Sequence, residues 1–277
     1  MAVSMQQVKE LRDLTNAGML DCKKALEASN GNIDEAMKIL KEKGLADAKK
    51  RSDRETKEGG VYVGTKDGKV AIALVACETD FVANNAQFKD ACNELVGKII
   101  DKGSENADDY KEDLQHIAQI TKENVNVKKL KCLNVADNQY VSTYIHGNNQ
   151  IGVVVVYEMA DKAVAEKTEF ADMAKNIALH VAASAPMYLV GDDVPEADLE
   201  EQKAIFAKQM EGENKPANIL ENILKGKLSK YKSEICLMDQ KYIKDDKISV
   251  QQYVANTSKA LGTEVKVVNF IRFNVGE

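Results

Sequence analysis

Tryptophan is absent from this 277-residue chain, histidine occurs three times, and the five cysteines never pair as C-x-x-C. Each scarcity excludes a kind of chemistry. Histidine is the side chain that changes charge near neutral pH. His116, His146 and His180 have no patterned carboxylate or cysteine beside them, so the chain offers little for general acid–base work. Cys22, Cys77, Cys92, Cys132 and Cys236 are an odd and scattered set. They give neither metal-clip spacing nor a disulfide framework, and read as small buried hydrophobes in a reducing compartment. Phosphate-cradle spacing is missing too: the nearest stretch, Gly64 to Lys69, is followed by Val70 and reads as a hairpin turn. H-E-x-x-H and G-x-S-x-G do not occur. The first residues lack a charged-then-apolar leader pattern, and no apolar run approaches membrane-spanning length. Cationic charge is outweighed, with 38 Lys and Arg against 44 Asp and Glu. Affinity for nucleic acid comes largely from cations on phosphates. The expectation is therefore a cytoplasmic protein without membrane or nucleic-acid partner, without metal or cofactor, with no catalytic residue and not an enzyme; a triad assembled from distant residues and a local basic patch stay open as alternatives.

What is present suffices for a core: 44% of residues are hydrophobic and 30% charged, which argues against disorder, and 277 residues are enough for two modest domains or one large one with additions. Residues 4 to 44 read as three short helices. Ser4 with Gln7 and Asn32 with Glu35 are capping boxes. Val8, Leu11 and Leu14, then Met19, Cys22 and Leu26, then Ile33, Ala36, Met37 and Leu40 form successive apolar stripes. Asn16-Ala17-Gly18 and Asn30-Gly31 separate the helices, and Gly44 is read as the stop. Residues 47 to 60 are highly charged and end in two glycines, a linker composition of which part can continue as an exposed helix.

An internal repeat dominates the rest. With Tyr62 set on Tyr144, residues 61–99 and 143–181 align without a gap. Phe88 then meets Phe170, Asp90 meets Asp172, Leu95 meets Ile177 and Ile99 meets Val181. Each copy reads as strand, turn, β-branched strand, connection and amphipathic helix, with Asp67-Gly68 and Gly147-Asn148-Asn149 as turn residues. Beyond the second copy, Pro195 opens a helix with Leu199, Phe206 and Met210. Asn214-Lys215-Pro216 breaks it, and Ile219, Leu220, Ile223, Leu224 and Leu228 mark another. Two narrow seams in succession suggest an antiparallel hairpin. Residues 263–275 have the β propensity of a closing strand. The expected class is α+β. Its domains are a three-helix domain with linker (1–54), a core N-subdomain (55–140) and a core C-subdomain (141–277) carrying the hairpin at about 195–231.

Comparing the copies points to a site. Thr79-Asp80-Phe81-Val82-Ala83-Asn84 stands opposite Asp161-Lys162-Ala163-Val164-Ala165-Glu166. A phenylalanine needed for packing the unit would have a large apolar counterpart, and Ala163 stands there instead. Phe81 is therefore a candidate for insertion into a partner; the alternative is that it folds back onto its own core. The second copy's Asp-Lys-Ala-Val should fit the first scaffold with little loss of stability. His146, beside Gly147, falls at a hairpin turn open to contact.

The run VKELRDLTNAGMLDCKKALEASNGNIDEAMKILKEKG resembles the ubiquitin-associated-like (UBA-like) helical domain of the bacterial elongation factor Ts family. ACETDFVANNAQF resembles that family's signature loop. HGNNQIGVVVV and ALHVAASAP resemble its second core subdomain. The resemblance implies a guanine-nucleotide exchange factor that binds elongation factor Tu carrying GDP, disturbs its Mg²⁺ and phosphate site, and releases GDP for reloading with GTP. It implies that Asp80 and Phe81 are the disrupting residues within the inserted stretch Thr79 to Val82. Lys23 is implied as a contact of the helical domain, and His146 with Gly147 as part of the core surface facing the partner. A homodimer and a two-plus-two complex with elongation factor Tu both stay open. The chain stops at Glu277, directly after its last strand, without the C-terminal helical module of some relatives. Two rivals stand beside this reading: an adaptor for ubiquitin-like partners, and an enzyme using Cys77 or Cys92 as nucleophile.

Overall fold

Residues 3–15, 17–210 and 216–277 are described by a computed structural model. The breaks expected at Asn16 and at Asn214-Lys215 lie outside the described residues. Two compact units divide the chain: residues 1–134 with 145–152 and 273–277, and residues 135–144 with 153–272.

In the first unit, Ser4 caps helix α1 (Met5–Thr15) as its sequence demands. Its Oγ accepts the Gln7 N–H at 3.2 Å, and the Gln7 side chain accepts the Ser4 N–H at 3.0 Å. Helices α2 (Met19–Ala28) and α3 (Ile33–Lys49) follow. Val8, Leu11, Cys22, Ala25, Leu26 and Ala36 form a small shared core. Three residues of the expected stripes face outward instead: Leu14, Met19 and Met37 are exposed. Three helices this short have too little interior to cover every apolar side chain.

Strand β1 (Glu58–Lys66) pairs antiparallel with β2 (Lys69–Cys77) around Asp67-Gly68, whose φ angles of 49° and 69° are left-handed. A single helical turn, α4 (Asp80–Ala83), leads into α5 (Ala86–Lys102). Helix α5 lays Phe88, Cys92, Leu95, Val96, Ile99 and Ile100 against the sheet. Helix α6 (Lys111–Thr121) and strand β3 (Asn126–Asn134) complete the layer, in strand order β1-β2-β3.

One sequence expectation is corrected here. Gly44 does not stop α3, which continues to Lys49. The glycine serves close approach, since a Cβ on residue 44 would stand 2.3 Å from the Gln119 side chain of α6. Residues 50–57 are charged but not a loose tether. Asn124 donates to the Ser52 and Arg54 carbonyls at 3.1 and 2.8 Å, and Asn126 donates to the hydroxyl of buried Thr56 at 2.9 Å.

In the second sheet the order is β4 (Gln139–His146), β5 (Ile151–Met159), β8 (Val265–Asn274). Helix α7 (Thr168–Ser184) packs Phe170, Met173, Ile177 and Val181 inward. Under the ungapped alignment β5 stands residue for residue opposite β2, nine residues each, and α7 opposite α5, seventeen each. Helices α8 (Glu196–Gln209) and α9 (Ala217–Ile235) pack on each other, with Phe206 set edge-on to Tyr231. Leu199, Phe206, Leu224 and Leu228 along the expected seam are half-buried, Met210 is buried and Ile219 exposed. The short strands β6 (Lys241–Tyr242) and β7 (Asp245–Ser249) and helix α10 (Val250–Leu261) have no counterpart in the sequence reading. The class is α+β. Among the described residues no helix is long and apolar enough to cross a membrane.

Gly152 lets the β4–β5 turn approach β1, for a Cβ there would fall 2.3 Å from Cγ1 of buried Val61. Gly152→Ala should destabilise by about 1–3 kcal/mol through overpacking. Adding Val61→Ala should recover part of that loss, and a double-mutant cycle of urea melts reads the coupling.

His180 is completely buried in α7. Its Nδ1 accepts the Ile243 N–H at 3.2 Å, which leaves Nε2 to donate to Gln240 Oε1 at 2.8 Å. Burial holds its pKa below the ordinary 6.5, with the Gln240 bond opposing. The unfolded chain therefore binds a proton more readily than the fold does. Stability should be complete above about pH 6.5 and fall on acidification, by at most about 1.4 kcal/mol per pH unit, until His180 itself protonates. In His180→Gln that part of the acid slope should vanish from melts run between about pH 5 and 7.

Candidate functional site

Strand β2 is buried through its last residue, Cys77, and the chain must then turn outward. Thr79 is extended and caps the next turn, its Oγ1 accepting the Val82 N–H at 3.4 Å. The segment expected as a loop is thus the helical turn α4. Asn84 closes it by donating to the Asp80 carbonyl at 2.8 Å, and Asn85 caps α5. Ala83 is buried and Val82 packs on the cluster around Phe88. Successive residues of a helix lie about 100° apart, so fixing Val82 and Ala83 inward turns Asp80 and Phe81 outward. Phe81 is 84% exposed, which eliminates the alternative that it folds onto its own core. The second copy repeats this geometry with a turn at Lys162–Glu166 capped by Asp161, Val164 buried and Ala163 exposed. The outward position is common to both copies; only the first carries an aromatic there.

The turn is held from outside by Glu123. One carboxylate oxygen accepts the backbone N–H groups of Glu78 and Thr79 at 2.9 and 3.0 Å, and the other accepts the Thr79 hydroxyl at 2.6 Å. Glu78 in turn accepts the Asn124 N–H at 2.6 Å and pairs with Arg54 at 3.3 Å. The Cys77 thiol lies beneath, donating to the Thr79 carbonyl at 3.3 Å. Burial, with Glu123 adding to it, pushes the Cys77 thiol up to about 12, and burial raises Cys92 further. Thiols so desolvated make poor nucleophiles near neutral pH.

The β4–β5 turn comes alongside. Gly147, Asn148 and Asn149 are all left-handed, with φ of 59°, 56° and 69°. This run of positive angles needs glycine or asparagine. Asn149 exchanges hydrogen bonds with Val61, accepting at its backbone carbonyl (2.7 Å) and donating from its side chain (2.9 Å). Asn148 donates to Asn84 and accepts from Lys89 at 2.6 Å. The structure therefore gathers Thr79, Asp80, Phe81 and Val82 with His146 and Gly147, both exposed. Lys23 is placed apart, on α2, where it pairs with Glu27 at 3.8 Å. Sequence reasoning misses Asn84, Lys89 and Glu123. Asn148 reads in the sequence only as a turn former, and nothing near Glu123 marks it.

Among the described residues no group of His, Cys, Asp and Glu is arranged to hold a metal ion. The site is an exposed aromatic and carboxylate, Phe81 and Asp80, side by side on a braced turn. The family model described as Elongation factor TS matches residues 78–277. A protein named elongation factor Ts from Borrelia hermsii is 40% identical over 278 residues, covering 100% of both chains. Those of Borreliella burgdorferi and Treponema denticola are also 40% identical, over 276 and 277 residues and at least 99% of each chain. The chain belongs to the elongation factor Ts family, and so to the elongation factors of protein synthesis.

The Glu123 contact sets a condition on swapping in the second copy's tetrapeptide. Aspartate at position 79 would still cap the turn, as Asp161 does, but would set a carboxylate against Glu123. Thr79→Asp should cost about 1–3 kcal/mol. Thr79→Ser, which keeps the hydroxyl, should melt within about 0.5 kcal/mol of the parent. Thermal melts at neutral pH check both.

Proposed function

We propose that this protein is a guanine-nucleotide exchange factor for elongation factor Tu. It binds the GDP-bound form, disturbs the partner's Mg²⁺ and phosphate site, and releases GDP so that GTP can load. The observation that carries the reading is Phe81, an exposed phenylalanine on a turn that is fixed at both ends. Full-length similarity to proteins named elongation factor Ts supports it.

The physics suits the residues. Magnesium with bound phosphates demands near-octahedral geometry, so a small displacement of the partner's backbone breaks several contacts at once. Phe81 gains roughly 1.5–3 kcal/mol by burial. That is too little to offset tight nucleotide binding, so the broad interface supplies the rest and the aromatic directs it. Asp80 brings negative charge towards the cation site, while Thr79 and Val82 seat the turn. His146 and Gly147 extend the contact from the neighbouring turn, and Lys23 docks the three-helix domain (1–54). The core subdomains (55–140 and 141–277) present these surfaces, and the hairpin at about 195–231 projects from the second. No step makes or breaks a covalent bond, so the protein is not an enzyme in its own right, and the cytoplasm is where it meets its partner. Linkage makes the antagonism mutual: whatever factor this protein takes from GDP affinity, GDP takes from its own.

Catalytic amounts should accelerate release of labelled GDP from elongation factor Tu. Phe81→Ala should keep the parent's melting temperature, since the side chain is exposed. Its stimulated release should be weaker by roughly 30- to 1000-fold, the cost of truncating a central aromatic anchor. Absence of stimulation by the parent protein, or full activity in Phe81→Ala, would overturn this reading.

A further inference from the structure

We propose that Glu123 is a positioning residue: it holds the α4 turn from outside and so aims Phe81, while touching no partner itself. The role in exchange rests on the function proposed above; the holding of the turn does not.

Three hydrogens converge on one carboxylate, from Glu78 N–H, Thr79 N–H and Thr79 O–H. The two N–H groups lie just beyond the last residue of β2, where the sheet no longer supplies acceptors and the turn has not begun to. Groups so placed need a partner from elsewhere. The third hydrogen bond fixes Thr79 Oγ1, the atom that also caps α4 by accepting from Val82. Glu123 therefore orients the cap that sets the phase of the helical turn, and the phase decides where Phe81 points.

Glu123 is itself held. Lys122 ends α6 in the left-handed region, φ 60°, which turns the chain back towards β2. The Glu123 N–H donates to Thr121 Oγ1 at 3.4 Å, and that hydroxyl donates to the Ile117 carbonyl at 2.8 Å. Asn124, next in sequence, meets Glu78 and the carbonyls of Ser52 and Arg54. The brace thus stands on a rigid base. In the second copy, where Ala163 occupies the outward position, the turn is capped by Asp161 and receives no outside carboxylate among the described residues. A brace accompanies the copy that has an aromatic to aim.

The absence of tryptophan supplies the test. Phe81→Trp in the full chain places a single fluorescent reporter at the turn. In that background, Glu123→Ala should lower the fluorescence anisotropy of the introduced indole while a cooperative melt is retained. Glu123→Gln should restore it, because its Oε1 can take both N–H groups and its amide can donate to Thr79 Oγ1. Glu123→Asp, charged but a methylene shorter, should restore less than Gln. In GDP release from elongation factor Tu, Glu123→Ala should lower the rate at saturating factor by roughly 10- to 100-fold, the scale on which ångström misplacements act. The half-saturating concentration should move far less, and Gln should again rescue. Unchanged anisotropy in Glu123→Ala overturns the brace. Anisotropy that falls while exchange stays intact overturns its positioning role. A Gln variant as impaired as Ala in both measurements supports the brace and assigns it to the carboxylate's charge-assisted bonds, whereas a Gln variant with restored anisotropy but exchange as slow as in Ala overturns the positioning role. Should Glu123→Ala fail to fold, the contrast between Gln and Asp decides by the same readings. If the parent protein fails to stimulate release, the proposed function falls while the anisotropy series still decides whether Glu123 holds the turn.

Discussion

Backbone N–H groups at the end of a buried strand must find acceptors, and this constraint governs the first unit. Strand β2 is covered along its length by β1, β3 and α5. Where it ends, Glu78 and Thr79 turn to Glu123. That requirement draws the α6–β3 connection against the start of α4. With it comes Asn124, which ties down the segment leaving the three-helix module. A single electrostatic need thereby organises the turn, the sheet edge and the exit from α3. An unmet buried N–H costs about 1–3 kcal/mol, comparable with what Phe81 could gain by burial. A projecting aromatic at this place is feasible only because the backbone beneath it is satisfied.

The repeat shows how one scaffold can be specialised. In both copies a valine, Val82 or Val164, and an aromatic of the following helix, Phe88 or Phe170, hold the connection to the core. Those positions set the geometry. The outward residue just before the valine carries no packing duty, so it can be alanine in one copy and phenylalanine in the other at little cost to folding. Freedom at that position and constraint at its neighbours are two consequences of the same helical phase.

How much of this is legible in the sequence follows from the range of each interaction. The capping box at Ser4, the Asn32 cap (whose own N–H goes to the Ser29 carbonyl rather than to Glu35), the Asp67-Gly68 turn and the stripe on α5 are local, and their residues stand within a few positions of one another. The repeat extends that reach by comparing the chain with itself, and it singles out Phe81. Strand β3 escapes because lysines at 128, 129 and 131 disguise its alternation; only Leu130 among its residues is fully buried. Gly44 misleads because a glycine that ends a helix and one that admits a neighbouring side chain look alike in one dimension. Glu123 acts across forty-four positions of chain on Thr79, and no local pattern distinguishes it from the other glutamates.

Rigidity is the link between this packing and the proposed exchange. A side chain can displace a partner's backbone only if its own attachment yields less than the partner does. Phe81 on a free loop would relax into whatever gap was offered, and its burial would stabilise the complex without strain on the nucleotide. The rate would gain nothing from such uniform binding, since only interactions stronger in the distorted state promote release. Cap, brace and the neighbouring Asn84–Asn148–Lys89 cluster each remove a direction in which the turn could retreat. In the proposed exchange, polar bonds beneath an apolar tip would thus convert binding energy into displacement of the partner's backbone.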